Sequence, residues 1–206
     1  MAGSDVFSTY VLSSDVAAVD PNGVCEAQTT GGAANLTIDG ALTSGGVATL
    51  VPVRNATVTS AGSSETGKTF TFTGTDANDN AVTETLNGPG SSATVSTTKV
   101  FKTITQIAVS GALTGNVTVG SGTTISETIF AGRARIRGVY FVNSGNSGPL
   151  AFVNGNNGDA VLTLQTSGTA ASSDYPDIPD EGLLCSDGVF VNFLAADVAA
   201  FTVFYN

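Results

Sequence analysis

Histidine and tryptophan are absent from the 206 residues, methionine occurs once and cysteine twice. Without imidazole there is no general base poised near neutral pH, no Ser-His-Asp triad, and none of the usual histidine-based zinc, copper or haem sites. Basic residues are also scarce: Lys and Arg number 7 against 17 Asp and Glu, giving a net charge of −10 and a pI near 4.1. Such a chain repels polyphosphate, which argues against a nucleic-acid partner. Charged residues make up only 12% of the chain, roughly half the usual quarter. With 41% hydrophobic residues and a mean hydropathy of +0.23, it is not a disordered solvating chain. No apolar run approaches the length of a membrane span, so no membrane partner is expected. The start, MAGSDVFSTYVLSSDVAA, has neither the basic nor the apolar region of a signal peptide, and synthesis in a cytoplasm is expected.

What is abundant is threonine, 29 residues, and glycine, 25 residues. These types fit pleated surfaces and tight turns, so the fold class expected is all-β. The length suits one large domain or two ordinary ones. Residues 1–50 are loosely patterned and punctuated by Pro21-Asn22-Gly23, Gly31-Gly32 and Gly45-Gly46, which predicts an N-terminal arm or a few short strands. A first β-domain is expected over 51–122. There Thr69-Phe70-Thr71-Phe72-Thr73 and Val82-Thr83-Glu84-Thr85-Leu86 alternate with period two. Between them Asp76-Ala77-Asn78-Asp79-Asn80 predicts a hairpin with an exposed acidic tip. In Thr94–Val109 the apolar parity switches, predicting a bulge or bend near Lys99 to Lys102, as where a strand crosses between sheets. Gly120-Ser121-Gly122 reads as the boundary between units.

A second β-domain is expected over 123–206, with strands at Arg135–Val142, Leu150–Val153, Ala160–Gln165, Val189–Leu194 and Phe201–Tyr205. That density fits a small sandwich or barrel. The architecture expected is an N-terminal arm plus two small sandwich- or barrel-like units. Residues 1–125 and 126–206 each carry a net charge of −5, from 4 basic and 9 acidic groups and from 3 and 8.

Few side chains suggest chemistry. Cys25 and Cys185 have no CxxC partner and read as two separate buried thiols or as a disulfide. The sequons at Asn35, Asn55 and Asn116 read as strand and turn residues. Asp76, Asn78, Asp79 and Asn80 offer oxygen ligands for calcium but lack the EF-hand layout, so they read first as a turn. Asp174-Tyr175-Pro176-Asp177-Ile178-Pro179-Asp180-Glu181-Gly182 is an acidic loop stiffened by two prolines, an exposed connector or interface rim. Paired carboxylates could serve a glycosidase, yet no acid–base pair can be named. No catalytic, cofactor-binding or metal-binding residue is therefore assigned. Arg133, Arg135 and Arg137, spaced by two, would share one face of a strand. Either they grip carboxylates on another subunit, or they pair internally with Asp177, Asp180 or Glu181.

The stretch from Val58 to Gly120, with TFTFTGTDANDNAVTETLNGPG and TTKVFKTITQIAVSGALTGNVTVG, resembles a β-domain of tailed-bacteriophage structural proteins. The later segments FAGRARIRGVYFVNSG and PDIPDEGLLCSDGVFVNFLAADVAAFTVFYN are similar to a second small β-domain found in phages of marine bacteria and cyanobacteria. The resemblance covers about two thirds of the chain and transfers no catalytic residue. It implies a non-enzymatic virion protein made in the host cytoplasm, on the outer capsid surface or on the tail. The first reading is a decoration or cement protein bridging major capsid subunits, with a homotrimer expected by analogy and with Arg133, Arg135, Arg137 and the residues before Val51 as contacts. The alternative is a tail or head-to-tail component such as a fibre, tube or host-binding adhesin.

Overall fold

The structure is a computed structural model and describes residues 8–13, 18–178 and 181–206. Residues 1–7 and 14–17, at the start of the expected arm, lie outside the described residues, as do Pro179 and Asp180, the latter an expected arginine partner. The described chain is all-β, and every strand pairing described is antiparallel. No sheet closes into a barrel among the described residues, and none of their helices is long and apolar enough to cross a membrane. The chain divides into two compact units, Ala17–Thr123 and a discontinuous unit of Met1–Val16 with Thr124–Asn206. The first strand, β1 (Ser8–Ser13), belongs to the discontinuous unit.

The Ala17–Thr123 unit begins with short strands β2 (Cys25–Gln28), β3 (Ala34–Asn35) and β4 (Thr43–Ser44). Four longer ones follow: β5 (Val47–Ser60), β6 (Thr69–Thr75), β7 (Ala81–Asn87) and β8 (Thr94–Val109), in spatial order β5-β8-β6-β7. Of the two forms expected before Val51, residues 18–50 take the short-strand form, with Val24, Cys25, Leu36, Ala48 and Leu50 in the core. Alternation in β6 buries Phe70 and Phe72 and turns its threonines outward. Phe72 meets Phe101 of β8 with ring centroids 6.1 Å apart, inside the range of favourable aromatic pairs.

The predicted hairpin pairs β6 with β7 from Thr69↔Asn87 to Thr75↔Ala81. Its tip differs from expectation: Asp76 is buried, because its Oδ1 accepts the amide hydrogens of Asn78 (2.8 Å) and Asn80 (2.9 Å) and so holds the turn together. Asp79 remains exposed and pairs with Lys102 at 2.7 Å. The irregularity in β8 lies at Thr97–Lys99, where the register with β5 jumps from Asn55↔Val100 to Thr57↔Ser96. Instead of crossing between sheets, β8 stays in one hydrogen-bonded sheet, and side chains satisfy the backbone groups freed by the bulge. Glu84 accepts from Thr98 N and Lys99 N, and Thr97 Oγ1 accepts from Ala56 N.

Strand β9 (Val117–Phe130) runs through the Gly120-Ser121-Gly122 segment. That segment is strand, and the units divide just after it, between Thr123 and Thr124. A Cβ at Gly120 would collide with the Asp20 and Pro21 backbone, and one at Gly122 with the Asn55 side chain.

The discontinuous unit adds β10 (Ala134–Asn143), β11 (Pro149–Asn154), β12 (Ala160–Gln165), β13 (Ser173–Asp174), β14 (Leu183–Cys185), β15 (Val189–Leu194) and β16 (Val198–Tyr205). One sheet runs β1-β16-β10-β13, with β14 also on β10; facing it, β12-β11-β15 continues onto the Thr124–Phe130 part of β9. The core draws on both sheets: Ile136, Val139, Phe141, Phe201 and Val203 pack with Leu150, Phe152, Val189, Val191 and Phe193. Phe193 and Phe201 meet edge to face at 5.5 Å. The result is sandwich-like, with alternate residues of each strand facing in.

Candidate interaction surface

Strand β10 carries the arginines. Its register with β16 passes from Ile136↔Tyr205 to Gly138↔Phe204, so Arg137 is the extra residue of a bulge. Arg135 and Arg137 are half-buried, while Arg133 is exposed on the turn ahead of the strand. Arg135 Nη1 donates to the carbonyls of Glu181 (3.0 Å) and Gly182 (3.3 Å), and Arg137 Nε donates to Asn206 Oδ1 (3.1 Å). These hydrogen bonds run to a neighbouring loop and the C-terminal residue, and they tie the ends of β10 and β16 together. Asp177 supplies no hydrogen bond or ion pair to an arginine among the described residues.

Beyond the bulge, Val139 and Phe141 face the core while Tyr140 turns outward, 39% exposed. Opposite Gly138 lies Phe204, and Tyr175 from the proline loop lies against both. The Tyr175 and Phe204 rings meet edge to face at 6.3 Å. A Cβ on residue 138 would come within 2.7 Å of the Tyr175 hydroxyl. Glycine is thus required there to seat Tyr175, which stays 63% exposed. Beside it opens a cleft of about 270 Å³ lined by Phe141, Leu164, Gln165, Asp174, Tyr175 and Pro176. Asp174 is exposed at its rim, and its Oδ2 accepts from Asn143 Nδ2 at 3.2 Å. Aromatic rings, aliphatic walls, one carboxylate and nearby guanidinium groups make up the composition typical of a protein-binding surface.

The remaining reactive groups are turned inward. Cys25 and Cys185 are free thiols in the cores of different units. Burial, reinforced by the negative charge of Asp39, pushes the Cys25 thiol up to about 12, and burial also raises Cys185. Neither is a nucleophile near neutral pH. Burial likewise lowers the Arg54 guanidinium, which is 2% exposed. Glu65, 0% exposed, accepts from Thr114 N and Gly115 N, both 2.9 Å from Oε1. Among the described residues no three Asp, Glu, Cys or His side chains group to hold a metal.

Comparison with family models, curated proteins and solved structures finds no match. The aromatic patch was only partly legible in the sequence. Parity in Val139-Tyr140-Phe141 places Tyr140 opposite the core residues, whereas the meeting of Tyr175 with Gly138 depends on a loop returning over the sheet.

Proposed function

We propose that this chain is a non-enzymatic structural protein of a virion, a capsid decoration or cement protein that bridges major capsid subunits and contacts copies of itself. The observation that carries this reading is the outward face of the β10–β16 sheet. There Tyr140, Tyr175 and Phe204 stand beside Arg135 and Arg137. Aromatic residues and arginine dominate binding energy at protein interfaces, and Tyr presents large contact area at low conformational cost. The resemblance of Val58–Gly120 and of the C-terminal segments to phage β-domains points the same way, as does a net charge of −10, which suits the outside of a shell rather than its packaged genome. Cementing would act through avidity, several modest contacts having to break together before a particle ruptures.

The test is stoichiometry in purified particles that contain this chain. About one copy per capsid subunit, or one trimer per local threefold position, is the expected result. A few to a few tens of copies per particle would overturn the cement reading and move the chain to the neck or tail.

A further inference from the structure

With only seven basic side chains in the sequence, each can be traced. Arg54 is buried, Lys68 lays its stem along Gly111, and Lys99 donates to the Thr83 carbonyl at 2.9 Å. Lys102 pairs with Asp79, and Arg135 and Arg137 hold the Glu181–Gly182 loop and Asn206. Arg133 is different: it is exposed, with no hydrogen-bond or ion-pair partner among the described residues.

The cleft lies toward the opposite end of β10, with Phe141 in its wall. Eight residues of strand at about 3.3 Å each separate the two by about 26 Å, beyond the reach of a side chain. The lining matches a guanidinium in each of its parts. Asp174 uses one oxygen on Asn143, and an ionised carboxylate has lone pairs for a planar donor fork besides. The exposed Tyr175 ring offers a face for cation–π stacking, and Leu164 and Pro176 offer apolar wall for an aliphatic stem. The same carboxylate repels an anionic ligand.

We propose that the cleft receives the Arg133 side chain of a second copy of this chain, its guanidinium set against Asp174 and over Tyr175. This rests on the self-association included in the virion reading. Donor and receptor occupy different places on each copy, so the contact is head-to-tail and closes into a ring or runs on as a filament. The net negative charge of each copy opposes association only weakly at physiological salt, where charges beyond about 8 Å are screened and the local pair decides.

Sedimentation of the full chain over a concentration range tests this with R133E, D174R and the double variant R133E/D174R. Arg133 is exposed without a bond among the described residues, and Asp174 is exposed with one bond to Asn143, whose Nδ2 also donates to Ser172. R133E should therefore keep the wild-type melting temperature and D174R should stay folded with a small loss, both checked by circular dichroism. Wild type should self-associate, and each single variant should weaken association at least tenfold. Mixing the two single variants should restore association, since Arg133 of D174R meets the intact cleft of R133E while at the other contact the two substituted side chains meet with the pair reversed. The double variant should regain self-association with the pair reversed. A monomeric wild type, single variants that associate as wild type does, or a mixture that stays monomeric would each overturn the contact. Titration with N-acetylglucosamine that moves the NMR signals of Leu164, Gln165 and Tyr175 while wild type stays monomeric would overturn it in favour of a glycan site. None of these outcomes alters copy number in particles, so failure of the contact and failure of the virion reading are distinguishable.

Discussion

In the Ala17–Thr123 unit, the carboxylates of Glu65, Asp76 and Glu84 turn into the fold and accept backbone amide hydrogens at a loop, a hairpin tip and a bulge. In the discontinuous unit the corresponding work falls to neutral side chains. Asn143, 0% exposed, accepts from Ser167 N and donates to Ser172, and Thr166 Oγ1 accepts from Gly148 N at 2.8 Å. Arg133 and Asp174 are left outward there, Asp174 beside the exposed Tyr175. The first unit thus turns carboxylates onto its own irregular backbone, whereas in the discontinuous unit it is Arg135 that holds loop carbonyls and Arg133 and Asp174 that face outward. Charge-assisted hydrogen bonds are stronger than neutral ones and suit a buried loop that must not open. At a surface, by contrast, unpaired charge confers orientation and choice of partner.

Glu65→Ala is expected to have the largest effect on the fold. The substitution removes the buried carboxylate on which two short bonds from the part-buried Thr114 N and Gly115 N converge. Such a loss costs about 2–4 kcal/mol, combining charged hydrogen bonds with the penalty for unsatisfied donors. Urea denaturation should show a lower midpoint with an unchanged slope, and Glu65→Gln, which keeps one acceptor oxygen, should lose less. A shift below about 0.5 kcal/mol would mean that Glu65 does not hold this loop.

Glu65 also marks the limit of what the sequence discloses. The strands are legible because Thr and Phe alternate in Thr69–Thr73 and because turn residues cut the C-terminal half into five short apolar runs, a local signal that the structure keeps. Gly120-Ser121-Gly122 lies beside the division between the units at Thr123 and Thr124, yet it is continuous strand, and its glycines answer a tertiary approach by Asp20, Pro21 and Asn55 that no local pattern discloses. Ser63-Ser64-Glu65-Thr66-Gly67 looks like any polar loop, and nothing local marks its one carboxylate as buried. The arginine triplet was visible as a cluster, but the bulge that offsets Arg137 arises from strand register, which a single sequence does not carry.

A smaller effect comes from the two thiols. Burial and the charge of Asp39 raise Cys25 from 9.0 to about 12, so the folded state keeps its proton after the unfolded chain has released it. The associated stability is whole below about pH 9 and declines by about 1.4 kcal/mol per unit as pH rises toward 12. Cys25→Ala should flatten that part of the stability curve. Cys185 is raised by burial alone, so its contribution has the same sign and should be removed by Cys185→Ala. Urea midpoints measured at about pH 8, 9 and 10 for wild type and both variants decide it. Equal slopes in wild type and Cys25→Ala would show that this thiol ionises as freely folded as unfolded.

The smallest change in stability is expected at the outward face. Tyr175→Ala removes a ring that is 63% exposed, and surface substitutions of this kind move stability by less than about 1 kcal/mol. Gly138→Ala places a methyl 2.7 Å from the Tyr175 hydroxyl, which the ring relieves by swinging away from Phe204. Both variants should therefore melt close to wild type yet lose the near-ultraviolet circular dichroism that arises from Tyr175 packed against Phe204. Both should also bind particles or other copies less tightly, Tyr175→Ala the more so because it deletes the contact area outright. If Tyr175→Ala instead costs as much stability as Glu65→Ala, this ring belongs to the fold of its own unit, and the division between an inward-bonded unit and an outward-facing one fails at its central residue.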